Sequence, residues 1–206
     1  GQGVTGFSRS DDGGLSFTDQ GALDPECDGD PSLVWRKADG HFYFANLADG
    51  GVWLWRSTDD CRSFQRVGPI HEGSSDDKEM MAVDNDASSP FFGRLYVVWT
   101  DFGAGGIAAA ASGDGGEAWS SPVRVSPPNM SVQGAWPVVA SGGELFVAWT
   151  RFASGRVSIH AARSSDGGRS FTQLAPVAVD RVRPEDPAAT SACARSALNG
   201  RIRYAP

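Results

Sequence analysis

Apolar and polar positions alternate along this chain in short runs broken by glycine turns, the period of two that marks a half-buried β-strand. Asp39-Gly40-His41-Phe42-Tyr43, Phe92-Gly93-Arg94-Leu95-Tyr96, Gly142-Gly143-Glu144-Leu145-Phe146 and Asn199-Gly200-Arg201-Ile202-Arg203-Tyr204 each place a glycine turn before such a strand. Two of these strands continue almost identically, as Val98-Trp99-Thr100-Asp101-Phe102 and Ala148-Trp149-Thr150-Arg151-Phe152. A further apolar segment precedes each turn, namely 31–35, 80–83, 137–140 and 187–194.

A second repeat lies out of phase with the first. Ser10-Asp11-Asp12-Gly13-Gly14-Leu15-Ser16-Phe17, Ser57-Thr58-Asp59-Asp60-Cys61-Arg62-Ser63-Phe64, Ser112-Gly113-Asp114-Gly115-Gly116-Glu117-Ala118-Trp119 and Ser164-Ser165-Asp166-Gly167-Gly168-Arg169-Ser170-Phe171 superpose without a gap. The shared pattern is S-x-D-x-G-x-x-[FW], with Cys61 replacing the glycine once. The serines are 47, 55 and 52 residues apart, a period suited to one four-stranded antiparallel unit. In a hairpin the aspartate can accept from backbone N–H groups ahead of it, the glycine can take positive φ, and the aromatic can fold back beneath the turn. These four octapeptides resemble the Asp-box, or bacterial neuraminidase repeat, of the sialidase-like β-propellers, and the resemblance spans nearly the whole chain.

The two repeats together predict an all-β chain in which each unit runs strand 1, glycine turn, strand 2, loop, strand 3, octapeptide turn, strand 4. The whole of residues 1–206 then forms one propeller domain or propeller portion, with blade parts 1–22, 23–70, 71–125, 126–178 and 179–206. Half-units at the two ends flank three whole ones. The ends either meet, closing a four-bladed ring by pairing the strand at Ile202 with the strand near Thr5, or belong to a larger ring. The six blades that the resemblance implies need roughly 300 residues at this period, and the larger ring is the favoured expectation. An open portion must cover its end blades by self-association or by further chain.

Composition narrows the class. The 26 Gly and 12 Pro, with 19 Asp against 6 Glu, point away from helices, while 40% apolar residues suffice for a core. A net charge of −7 with two lysines, Lys37 and Lys78, disfavours a nucleic-acid partner. No stretch has the length of a membrane span, so no membrane insertion is expected. The three cysteines, Cys27, Cys61 and Cys193, have no metal-type spacing and leave their pairing open.

Candidate chemistry lies where the repeats differ, at the strand ends that face a propeller axis. Strand 1 begins as Asp28-Gly29-Asp30-Pro31, Asp77-Lys78-Glu79-Met80, Gln133-Gly134-Ala135-Trp136-Pro137 and Arg183-Pro184-Glu185-Asp186-Pro187, and strand 2 ends at Asp101 in one blade and Arg151 in its equivalent. Asp30, Asp77, Glu79 and Asp186 are the acid/base candidates. Asp101, Trp136, Arg151 and Arg183 are the ligand-binding candidates, with Trp136 to stack on a sugar ring and an arginine to clamp an acidic group. The competing reading makes the Asp-Pro steps caps of inner strands and the charges solvated. Asp24, Glu26 and Asp28 alternate oxygen ligands like the first half of a calcium loop, but Trp35 stands where a bidentate Glu belongs; the segment is either a calcium site or an acidic connector, and no other cofactor is required.

The box residues Ser10, Asp12, Gly14, Phe17, Ser57, Asp59, Phe64, Ser112, Asp114, Gly116, Trp119, Ser164, Asp166, Gly168 and Phe171 are structural in this reading, because four equivalent places around a periphery do not converge on one reacting group. The resemblance implies a secreted or cell-surface protein, of bacterial origin, that binds glycans at its axial pocket and, as an enzyme, is an exo-acting hydrolase of acidic sugars. Sialidase chemistry uses a tyrosine nucleophile and an early [FY]-R-I-P arginine motif. That motif is absent, and Tyr43, Tyr96 and Tyr204 fall at repeat positions. A non-catalytic lectin or adhesin, or a structural module of a surface protein or fibre, is the alternative.

Overall fold

A computed structural model describes residues 5–153 and 156–182, and for Asp28 and residues 179–182 the backbone alone. Fifteen strands are described: β1 (Gly6–Arg9), β2 (Thr18–Ala22), β3 (Cys27–Arg36), β4 (His41–Ala48), β5 (Gly51–Ser57), β6 (Gln65–His71), β7 (Asp76–Val83), β8 (Leu95–Asp101), β9 (Gly106–Ser112), β10 (Val123–Arg124), β11 (Ser131–Val139), β12 (Leu145–Ala153), β13 (Arg156–Ser164), β14 (Thr172–Gln173) and β15 (Ala178–Val182). They form antiparallel sheets β1-β2, β3-β4-β5-β6, β7-β8-β9-β10 and β11-β12-β13-β14, with no helix among the described residues. Each full sheet is one unit of the frame read from the sequence, and β1-β2 supplies the strands 3 and 4 of a half-unit. β15 falls outside that frame: β14 is only two residues long, and β15 takes up the free upper edge of β13 at Arg156–Ile159.

The blades stack face to face. Leu95, Val97 and Trp99 of β8 pack on Tyr43, Ala45, Val52 and Leu54 of the preceding blade, while Tyr96 and Val98, on the other face of the same strand, pack with Val132, Leu145, Val147 and Trp149 of the following one. The middle blade is therefore buried on both faces. Its run Ala108–Ala111 offers almost no side-chain bulk, which lets neighbouring sheets approach closely. Among the described residues the sheets do not close. Leu33 and Trp35 of β3 and Trp136 and Val138 of β11 lie exposed on the two outward-facing end faces. A cavity of 340 Å³, lined by Phe7, Leu33, Phe42, Phe44, Cys61 and Phe64 together with Ser8, Arg9, Ser10 and Asp60, marks the seam where only a half-blade meets the first full one. The strands expected over 187–194 and around Ile202, and with them the proposed closure onto Thr5, lie outside the described residues.

The octapeptide turns are near copies of one another. Ser10, Ser57, Ser112 and Ser164 each donate from Oγ to the aspartate two residues on, at 2.7–2.8 Å. The amide of the fifth residue, Gly14, Cys61, Gly116 or Gly168, donates back to that Oγ at 2.8–2.9 Å. Asp12, Asp59 and Asp166 also accept from two backbone amides and from the hydroxyls of Ser16, Ser63 and Ser170. Hydrogen bonds to the ionised form hold Asp12 and Asp59 well below the ordinary carboxylate range, the serine hydroxyl first among them; for Asp166 burial is the largest single effect and raises the pKa, but the hydrogen bonds together outweigh it and bring it to about 2. Phe64, Trp119 and Phe171 pack into blade seams. Phe17 does not: it is 66% exposed, because no described blade precedes the β1-β2 half-unit.

Candidate functional site

The three inner strands, β3, β7 and β11, carry the same irregularity at the same place. Pairing with strand 2 skips from Gly29 to Ser32, from Asp77 to Met80 and from Gln133 to Trp136, a β-bulge in each blade. One residue of each bulge is left-handed: Asp30 at φ 57, Lys78 at φ 56 and Gly134 at φ 70. Glycine accepts that backbone without strain, whereas each of the two others costs on the order of 1 kcal/mol. The segments expected at the start of strand 1 thus lie within the strands, with pairing on both sides of the bulge.

The bulges turn side chains toward one open depression of 360 Å³, lined by Asp30 and Pro31 of β3, Lys78, Glu79 and Met80 of β7, and Gly134, Ala135 and Trp136 of β11. Lys78 Nζ pairs with Asp30 Oδ1, and Gln133 Nε2 donates to Asp77 Oδ2. Burial raises the Asp77 carboxyl above its ordinary pKa, and a hydrogen bond shared with the Asp30 carboxyl pushes the same way, against the pull of Lys78 and Gln133. Three acid/base candidates, Asp30, Asp77 and Glu79, are therefore brought together across one blade seam.

Glu79 is fully buried. Neither carboxyl oxygen has a well-formed hydrogen bond, although the Glu79 and Leu47 amides lie near enough to favour the charged form slightly. Burial dominates and lifts its pKa from 4.5 to about 9, helped by the negative charges of Asp30 and Asp77. The bulge register makes Pro31 and Ala135 its counterparts in the neighbouring blades. An acid thus fills a slot that the fold elsewhere gives to apolar residues, and packing alone does not account for it. At neutral pH this side chain is a carboxylic acid, able to donate a proton and to accept a hydrogen bond.

The other candidates are placed elsewhere or have a second role. Trp136 lines the depression and is 59% exposed, but its counterparts Ser32 and Met80 lie on the blade face that a following blade covers, so its exposure belongs partly to an open end face. Asp101 caps the β8–β9 turn through the Ala104 amide at 2.7 Å and borders a separate cavity of 220 Å³ with Arg124. Arg151, its equivalent, pairs across the sheet with Val132 and Ser158, and its charge helps desolvation to depress the His160 pKa. Asp186 and Arg183 lie outside the described residues.

The proposed calcium segment is a turn in which Asp24 caps the Glu26 amide at 3.0 Å. Glu26 shares a hydrogen bond with Asp49, which raises its pKa, and Asp49 is paired with Arg66. The side chain of Asp28 is not described. No group of three or more His, Cys, Asp or Glu side chains suited to a metal is found among the described residues. Tyr43 and Tyr96 occupy equivalent register positions and are buried, with Tyr43 Oη donating to Asp39 at 2.8 Å and raised to about 12 by burial first and Asp39 second. Neither lines the depression.

Sequence reasoning missed Lys78 and Gln133, which bind across blade seams and carry no motif. It also missed His71 and Asp76, whose Nδ1 and Oδ2 are 2.6 Å apart while the imidazole stacks on Trp99 at 5.1 Å. The adjacent acids Asp76 and Asp77 were the available signal for a buried partner.

The sequence matches no family model and no curated protein. Solved structures do match. NanB sialidase from Streptococcus pneumoniae superposes with a TM-score of 0.60 at 17% identity, over 85% of this chain and 28% of that one. The α-L-arabinofuranosidase Arb93A from Fusarium graminearum gives 0.53 at 10% identity, over 73% and 49%, and an endo-arabinase from Bacteroides thetaiotaomicron gives 0.50 at 13%, over 80% and 69%. The chain spans about half the length of the arabinofuranosidase it matches. At these identities the likeness is one of fold, and it agrees with the strand order above: an all-β propeller of four-stranded antiparallel blades.

Proposed function

We propose that the chain is an Asp-box propeller of an exported, glycan-acting protein, with the depression between β3, β7 and β11 as its carbohydrate site and glycoside hydrolysis as its chemistry. The observation that carries this reading is Glu79, a buried carboxyl without a well-formed hydrogen bond, held neutral at the wall of an open depression beside the hydrogen-bonded carboxyls of Asp30 and Asp77. Two groups whose environments separate their pKa values are the usual division between acid and base. Glu79 is assigned as the proton donor to the leaving-group oxygen. Asp30 and Asp77 share a hydrogen bond, closer than the ~5 Å or more that separates the two carboxyls of a glycosidase, so they count as one base and not as an acid and base pair.

The names of the structural neighbours, which include sialidases and arabinan-type glycosidases, support a carbohydrate partner. The test is turnover of fluorogenic glycosides of several sugars, run beside a glycan array. Hydrolysis that falls at least ~100-fold in Glu79→Gln, with glycan binding kept, supports the assignment. Binding without turnover in the parent protein identifies a lectin. Neither binding nor turnover by the folded protein overturns the reading.

A further inference from the structure

We infer that the depression selects uncharged sugars over sugars that carry a carboxylate, an inference that rests on the glycan-binding reading above. A sugar carboxylate needs a cation to receive it, best of all a guanidinium that can bind both oxygens. Among the described residues, the only cation lining the depression is Lys78, and its Nζ is already paired with Asp30. Asp77 stands behind that pair with its own carboxyl, and Glu79 is neutral near pH 7. Among the described residues no unpaired cation lines the depression to receive an incoming anion, and the Asp30 carboxylate would repel it.

Four other described arginines have partners away from the depression. Arg66 lies 3.8 Å above Trp53 and pairs with Asp49. Arg124 donates to the carbonyls of Ala104 and Gly105. Arg36 and Arg94 brace blade seams through the carbonyls of Gly93 and Gly167. Arg151 stands opposite Val132 in the strand register, does not line the depression, and its charge bears on His160.

What the depression does offer suits hydroxyl groups. Asp30 accepts and Lys78 donates at the lining, while the Glu79 carboxyl lies buried in the wall behind them. Pro31, Met80, Ala135 and Trp136 supply an apolar wall for the C–H face of a ring. The excluded class is rejected by unpaired negative charge rather than by a missing contact.

The experiment compares binding of neutral pentose and hexose oligosaccharides with matched sialyl and uronyl oligosaccharides, by calorimetry on the full chain at low and high salt. Neutral sugars are expected to bind at least ~10-fold more tightly, with affinity that moves less than ~2-fold with salt. Asp30→Asn releases Lys78 and is expected to narrow that preference by at least ~10-fold. Acidic sugars bound as tightly as neutral ones, or an affinity for them lost in Arg151→Ala, overturn the selectivity while the glycan site stands. A folded protein that binds neither class overturns the glycan reading itself.

Discussion

Asp30 and Lys78 occupy the same place in the bulges of two adjacent inner strands, share a left-handed backbone at φ 57 and 56, and join their side chains across the seam between the blades. The third blade puts Gly134 at this place. The fold therefore requires the bulge, while the charged pair is an addition to it. Strain retained at a repeated position that another blade relieves with glycine is the pattern expected where side chains have work to do in a site.

Replacing Lys78 by glycine separates the two contributions. The substitution relieves backbone strain of about 1 kcal/mol and removes an ion pair that is partly solvated and so contributes of the order of 0–1 kcal/mol. Denaturant melts of Lys78→Gly and the parent are expected to agree within about 1 kcal/mol, while glycan affinity falls. A loss of several kcal/mol in stability would show that the pair holds the seam itself.

The fifth residue of the octapeptide provides a second contrast. Gly116 has φ 88, and a Cβ built there would stand 2.1 Å from Leu54 Cδ2, so no side chain fits. At the equivalent place in the first full blade Cys61 has φ 59 and lines the 340 Å³ cavity, where there is room. Cys61→Gly is expected to change stability by less than about 1 kcal/mol, since relief of the left-handed strain is offset by the lost packing of a half-buried thiol and by the greater freedom of glycine in the unfolded chain. Gly116→Cys is expected to cost at least ~2 kcal/mol and to lower the cooperativity of melting.

Ala118 is the one departure from the serine that closes the other three turns. Asp114 is still lowered, first by the Ser112 hydroxyl and then by the Ala118 amide, but lacks the added hydroxyl that Ser170 gives Asp166. Ala118→Ser is expected to raise the melting temperature by about 1–2 °C, and Ser170→Ala to lower it by a similar amount, because these turns are solvent-exposed and each bond is correspondingly weak. Scanning calorimetry of both variants checks the pair.

The octapeptide and the glycine turns made the blade order legible, because each is a local hydrogen-bonding device that repeats four times. The inner bulges were not legible. Asp30 and Lys78 do not announce a left-handed residue as Gly134 does, and the alternation of strand 1 resumes unbroken after them. Asp30, Asp77 and Glu79 were found because they break the likeness between repeats at one end of each strand. Asp101 was chosen by the same rule and serves instead to cap a turn, since a strand end can be polar for the sake of its own loop. Contacts across seams, such as Gln133 with Asp77, depend on how blades are stacked and leave no trace in either segment alone.

Glu79 makes an unusual pH dependence. Its pKa is about 4.5 in an unfolded chain and about 9 in the folded one, so the folded state binds the extra proton over that whole interval. Stability therefore falls as pH rises from 4.5 to 9, by at most ~1.4 kcal/mol for each pH unit, and the effect is complete above the folded value. The octapeptide aspartates, whose pKa values are lowered, act in the opposite sense but only in acid, below their unfolded value of 3.8, and add no slope here. Asp76 and Asp77 are raised and add slope of the same sign as Glu79, so the comparison must be made with a variant. Urea melts between pH 5 and 9 are expected to show a steeper decline for the parent than for Glu79→Gln, which cannot ionise. Glu79→Met should go further, because an apolar side chain of similar length ends the cost of burying a carboxyl without good partners, for a gain of about 1–3 kcal/mol near pH 8. That gain would come with loss of turnover, as is usual where a site is kept at the expense of stability. Equal pH slopes for the parent and Glu79→Gln would show that Glu79 is ionised in the folded protein, and with that the assignment of a proton donor in the depression would fail.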